Sequence, residues 1–169
     1  MANLAFYAGQ RITASLLASI APIAAWKVAD QSVTSNATTL IPDTALQTAV
    51  VTGGIYWVEC QVKYDAASGG DIKLGFYAPG SGTDVFDWND NPRLTAGGVL
   101  STPFGALSVT QTSFGPGQGA GTNQMWFGKG LLTIGTLNGT FGMQFCQNTS
   151  SATATRVRPG SALIAWRLA

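Results

Sequence analysis

The stretch Ile55–Tyr64 alternates strictly, and no other local pattern in the chain constrains a fold as much. Tyr56, Val58, Cys60, Val62 and Tyr64 fall on one side of an extended chain, and Trp57, Glu59, Gln61 and Lys63 fall on the other. Gly53-Gly54 before it and Ala66-Ala67-Ser68-Gly69-Gly70 after it break the run. Ile72–Ala78 repeats the pattern, with Ile72, Leu74, Phe76 and Ala78 set against Asp71, Lys73 and Tyr77. Pro79-Gly80-Ser81-Gly82 ends that strand.

Further strands are expected at Trp26–Thr34, near Gly98–Leu100, at Ala106–Thr112, Gln124–Gly135, Thr140–Gln147 and Ser161–Leu168. In the last, Ala162, Ile164, Trp166 and Leu168 alternate against Ser161, Ala165 and Arg167. Ser35-Asn36 reads as a turn. Residues 83–93 read as a polar loop holding Phe86 and Trp88, and Ser113–Asn123 reads as a Gly-rich loop. Short strands with turn signals between them and no intervening helix pattern favour a sandwich, jelly roll or barrel over a parallel sheet. The expected fold is an all-β antiparallel sandwich of jelly-roll type, with an N-terminal arm and a short helix.

The N-terminal part differs. Residues 1–11 are irregular, and Ile12–Ala21 reads as a short helix with Thr13 as N-cap and Leu16, Leu17 and Ile20 on an apolar stripe. Pro22 stops it. The rival reading is a secretory signal, because Arg11 precedes an apolar run. A single positive charge and the interruptions at Thr13, Ser15 and Ser19 favour a docking helix. The chain therefore divides into residues 1–25, a docking arm with its helix, and residues 26–169, the β-sandwich.

Composition narrows the chemistry. The 169 residues include no His, so the commonest general base and metal ligand is missing. A Ser–His–Asp or Cys–His arrangement is excluded. Charged residues make up 10% and the net charge is +1, which supplies no field for nucleic acid or an anionic membrane. No apolar stretch reaches the roughly 18 residues of a membrane-spanning helix. So neutral a surface suits a protein that works assembled, with homo-oligomerisation expected and a trimer favoured.

Glu59 is the only Glu beside seven Asp. Asp65 with Asp71, or Asp84 with Asp87, could be cast as a hydrolase's carboxylate pair, but all four lie in or beside turns, where Asp bonds the backbone. Gly128-Lys129-Gly130 departs from a phosphate loop at both ends. Asp84, Asp87, Asn89, Asp90 and Asn91 form the densest set of oxygen ligands, without the spacing or the Gly of an EF-hand, so turn chemistry is preferred and no metal or cofactor is expected. Cys60 and Cys146 both fall in expected strands, which leaves a disulfide and two buried free thiols open. Trp57 and Trp126 are read as buried sandwich or interface residues. Trp88, with Asp87, Asn89 and Asp90, is the candidate patch for a glycan ligand.

Two segments carry a resemblance. Ala8-Gly9-Gln10-Arg11-Ile12-Thr13-Ala14-Ser15-Leu16-Leu17 lies near the start of the chain. Gln147-Asn148-Thr149-Ser150-Ser151-Ala152-Thr153-Ala154-Thr155-Arg156-Val157, continuing through Gly160-Ser161 to Leu163, lies near its end. Together they resemble the small minor tail or structural virion proteins of tailed phages infecting actinobacteria. The likeness covers both ends and leaves out the middle, about residues 30–140. It implies a non-enzymatic protein of the virion surface with no catalytic residues to carry over. The partners would be other capsid or tail proteins, docked through Phe6, Tyr7, Arg11, Ile12, Leu16, Leu17 and Ile20. The alternative expectation is a receptor- or glycan-binding module on the virion.

Overall fold

The structure, a computed structural model, describes residues 21–34, 38–80, 83–90, 93–94, 100–101 and 113–169, together with Arg11, Thr13 and Ala14. Its strands are β1 (Ile23–Trp26), β2 (Gln31–Val33), β3 (Ile41–Val50), β4 (Ile55–Asp65), β5 (Ile72–Tyr77), β6 (Val85–Asp90), β7 (Arg93–Leu94), β8 (Leu100–Ser101), β9 (Ser113–Gly115), β10 (Gln124–Thr133), β11 (Gly139–Gln147), β12 (Thr155–Val157) and β13 (Ala162–Arg167). Of the expected helix Ile12–Ala21, Ala14 carries helical backbone while Thr13 and Ala21 do not, and residues 12 and 15–20 lie outside the described residues.

One sheet runs β1-β13-β4-β10-β6, with β12 pairing β4 and β2 pairing β12. The second runs β3-β11-β5-β9. Every pairing is antiparallel. The pairs nest: β1 with β13, β3 with β11, β4 with β10, and β5 with β9. A long hairpin wound round on itself in this way is a jelly roll, with two sheets packed face to face.

The period-two residues build the core as expected. Tyr56, Val58, Cys60, Val62 and Tyr64 of β4 and Ile72, Leu74 and Phe76 of β5 all point inward. An aromatic cluster joins the sheets. Phe76 of β5 stacks on Phe141 of β11 at 5.6 Å, meets Phe86 of β6 edge-on at 4.9 Å, and meets Trp88 edge-on at 5.3 Å. Trp88 in turn meets Trp126 of β10 at 6.0 Å. Each such pair contributes about 0.5–1.5 kcal/mol beyond its buried area. Gly128 makes room for this cluster, since a Cβ there would lie 2.2 Å from the Trp126 indole.

Several elements depart from expectation. The expected strand Trp26–Thr34 is two strands, β1 and β2, separated by a loop in which Lys27 turns into the core. β3 had no counterpart in the sequence reading; as the edge of its sheet it tolerates Pro42. The expected loop 83–93 contains β6, also an edge strand, whose outward Asp87 and Asn89 suit solvent. Within the expected Gly-rich loop, Ser113–Gly115 pairs with β5 as β9. β12, within the closing segment that carries the resemblance, pairs with β2 and β4. Of the two weaker strands, Leu100 belongs to β8, and residues 106–112 lie outside the described residues. In β13 the small set faces inward, with Leu163 and Ala165 buried, while Ile164 and Trp166 face out. The chain's last residues are tied in: Leu168 N donates to Ile55 O at 2.7 Å.

Candidate ligand groove

The carboxylates clamp loops rather than converge. Asp84 Oδ2 accepts Gly80 N at 2.6 Å and its Oδ1 accepts Gly135 N at 2.8 Å. Asp71 Oδ1 accepts Gly117 N and Asp65 Oδ2 accepts Gly121 N, both at 2.8 Å. Gly117 itself packs so close to Ala67 that no side chain would fit there. Asp65, fully buried, also faces Arg158 at 3.5 Å and Arg156 at 3.7 Å. Turn and loop bonding thus accounts for Asp65, Asp71 and Asp84, and no group of three or more metal-ligating side chains exists among the described residues.

The expected Trp88 patch is corrected by the strand that contains it. Along β6, Phe86, Trp88 and Asp90 face the core while Asp87 and Asn89 face solvent. Trp88 is only 2% exposed, and Asp90 is committed to Trp126 Nε1 at 3.1 Å and to a short bond from Ser113 Oγ. The four residues therefore do not form one surface. Trp126 is buried, as expected, whereas Trp57 is half-buried on the outer face. Both cysteines are free and buried. Burial pushes the Cys60 thiol up, with the Asp43 charge acting in the same direction; Cys146 is also raised by burial, against a lowering by Lys73. Of the expected docking residues, Arg11 is exposed, and Phe6, Tyr7, Ile12, Leu16, Leu17 and Ile20 lie outside the described residues.

A different surface gathers the exposed aromatics. The outer face of the β1-β13-β4-β10-β6 sheet holds a groove of about 580 Å³ lined by Trp26, Glu59, Gln61, Asn89, Phe127 and Lys129, among others. Strand register sets its plan. Trp26, Ala162, Gln61 and Phe127 form one row across four strands, and Ala24, Ile164, Glu59, Lys129 and Asn89 form the next. Trp26 and Phe127 are therefore three strand spacings apart, roughly 14 Å between Cα atoms. They are 61% and 43% exposed and stand as walls over a floor of Ala162 and Gln61. Trp57 Nε1 donates to Glu59 Oε1 at 3.1 Å, which fixes the carboxylate beside the groove.

This arrangement offers apolar ring faces and uncharged or singly charged hydrogen-bonding groups at adjacent rungs. The two carboxylates of the lining, Glu59 and Asp90, face opposite sides of the sheet. The alternation of Ile55–Tyr64 already put Trp57, Glu59 and Gln61 away from the core. Trp26 and Phe127 carried no comparable signal, because their role depends on strands distant in sequence meeting in register. The chain matches no family model, and no curated protein matches it at a significant level.

Proposed function

We propose that this chain is a non-enzymatic structural protein of a tailed-phage particle, held to capsid or tail neighbours by residues 1–22 and projecting its β-sandwich outward. The observation that carries the reading is how the arm joins the body. The segment runs directly into β1, which pairs with β13 along its whole length, and Lys27 just beyond it is locked to Asp43 in the interior. A pull on the arm is borne by a strand ladder in shear and by a buried ion pair. The two phage-like end segments and the charge-poor composition support the same reading. Self-association, with a trimer favoured, draws support from Trp26, Val85, Met125, Phe127 and Leu131, large apolar residues all exposed on one sheet face. Mass spectrometry of purified particles tests the assignment: the chain is expected at a fixed stoichiometry to the major capsid or tail proteins, and its absence from particles would overturn it.

A second reading is favoured by the groove. Trp26 and Phe127 share one row with Gln61, while Glu59 and Asn89 lie in the next, and such a site suits a neutral saccharide, whose C–H faces stack on aromatic rings while its hydroxyls take hydrogen bonds. On this reading the projecting domain touches a host-surface glycan.

A further inference from the structure

Lys27 and Asp43 form the most isolated ion pair among the described residues. Lys27 follows Trp26, which points outward, so strand alternation sends the lysine inward. Its backbone is fixed on both sides, with Lys27 N donating to Ser161 O at 3.0 Å and Gly160 N donating to Lys27 O at 3.1 Å. The ammonium reaches Asp43 Oδ2 at 2.7 Å, and the two side chains are 2% and 0% exposed. An ammonium has three donors. Among the described residues this one has a single acceptor, Asp43. Two charges removed from water are costly, and their attraction alone rarely repays it.

Asp43 is not held symmetrically. Its Oδ1 accepts two backbone N–H groups, Ala45 N at 2.9 Å and Leu46 N at 3.0 Å, whereas Oδ2 faces the lysine. One oxygen is thus cradled by two fixed donors, and the other is in contact with a nucleophile's nitrogen. Two backbone N–H groups aimed at one oxygen are the arrangement that stabilises the negative charge of a tetrahedral acyl intermediate. Contact between the reacting groups in a fixed geometry supplies the orientation that such a step otherwise lacks.

We propose that Lys27 and Asp43 condense into an intramolecular isopeptide bond. A proton passes from Nζ to Oδ2 along the existing hydrogen bond, leaving a neutral amine and a neutral acid. Nζ then attacks Cγ, and Oδ1 takes up the charge against the Ala45 and Leu46 N–H groups. A second proton moves from Nζ to Oδ2, the Cγ–Oδ2 bond breaks, and Oδ2 leaves as water. The Nζ–Cγ bond replaces the Cγ–Oδ2 bond, total charge is conserved, and no oxidant or cofactor takes part. The product has one N–H to satisfy where the ammonium had three, and two buried charges are gone. It joins the residue that follows β1 covalently to β3 in the opposite sheet, so a covalent bond takes the place of the ion pair in the arm's attachment.

Intact-mass spectrometry of the denatured full chain decides the matter. The expected mass is one water below that of the sequence, with a proteolytic digest yielding a branched peptide that contains both Lys27 and Asp43 and no cleavage after Lys27. The Lys27→Arg variant is expected at its full sequence mass. A wild-type chain at full mass overturns the proposal. So does a loss of water that persists in Lys27→Arg or that yields no branched peptide, since dehydration of an aspartate by its own backbone would produce that result.

Discussion

Trp126 donates its indole N–H to Asp90 Oδ2 at 3.1 Å, in the buried layer where β10 meets β6. Ser113 Oγ, arriving on β9 from the other sheet, bonds the same oxygen and also lies 2.9 Å from Trp126 Nε1. Three elements distant in sequence thus share one acceptor. Asp90→Ala leaves a buried indole N–H and a buried hydroxyl without that acceptor and should cost about 2–3 kcal/mol. Asp90→Asn keeps an oxygen for the indole and removes a buried charge, so its cost should stay within about 1 kcal/mol. Urea unfolding of both variants checks the difference, and equal losses would contradict this role for Asp90.

Cys60 should make alkaline stability fall. Burial is the larger cause of its raised pKa and persists whatever the charge on Asp43. The folded chain therefore keeps a proton that the unfolded chain releases above its ordinary value of 9.0. The raised value contributes stability that is complete below that pH and is progressively lost above it. Cys146 and Tyr77, also raised, act in the same direction. Unfolding free energy measured from pH 7 to 11 should be flat below about pH 8 and decline above pH 9, and the decline should be shallower in Cys60→Ala. Identical slopes in the two proteins would refute the linkage.

The groove separates binding from folding. Trp26 is 61% exposed, so Trp26→Ala should change stability by no more than about 0.5 kcal/mol. The same substitution should abolish any signal the wild type has on an array of neutral glycans, and Trp88→Ala should instead unfold the domain by opening the aromatic cluster. Wild-type binding that survives Trp26→Ala would remove the groove from consideration.

The legible part of the fold is the part whose burial is periodic. β4 and β5 alternate because each has one face on the core, and that alternation is written in Tyr56 to Tyr64 and Ile72 to Phe76. β3 and β6 were hidden because both are edge strands, where Pro42, Asp87 and Asn89 cost little and mimic a loop. Trp88 looked like a surface aromatic because its neighbours are Asp and Asn. In an edge strand those neighbours simply face the other way. The buried Lys27–Asp43 pair had no local sign, since each residue's partner comes from a different sheet. The groove was half legible: Trp57, Glu59 and Gln61 fell on the outward side of the pattern, but only the register of β1 and β10 against that strand brings Trp26 and Phe127 to its walls.

The structural reading turns on the arm, and one measurement addresses it directly. A chain lacking residues 1–22 retains every strand described here together with Lys27 and Asp43. It should fold, with the far-ultraviolet spectrum and cooperative unfolding of the full-length protein. Supplied during assembly in place of the full chain, it should be missing from purified particles when its copies are counted by quantitative mass spectrometry. A truncated, folded chain recovered on particles at the full-length copy number would contradict the account.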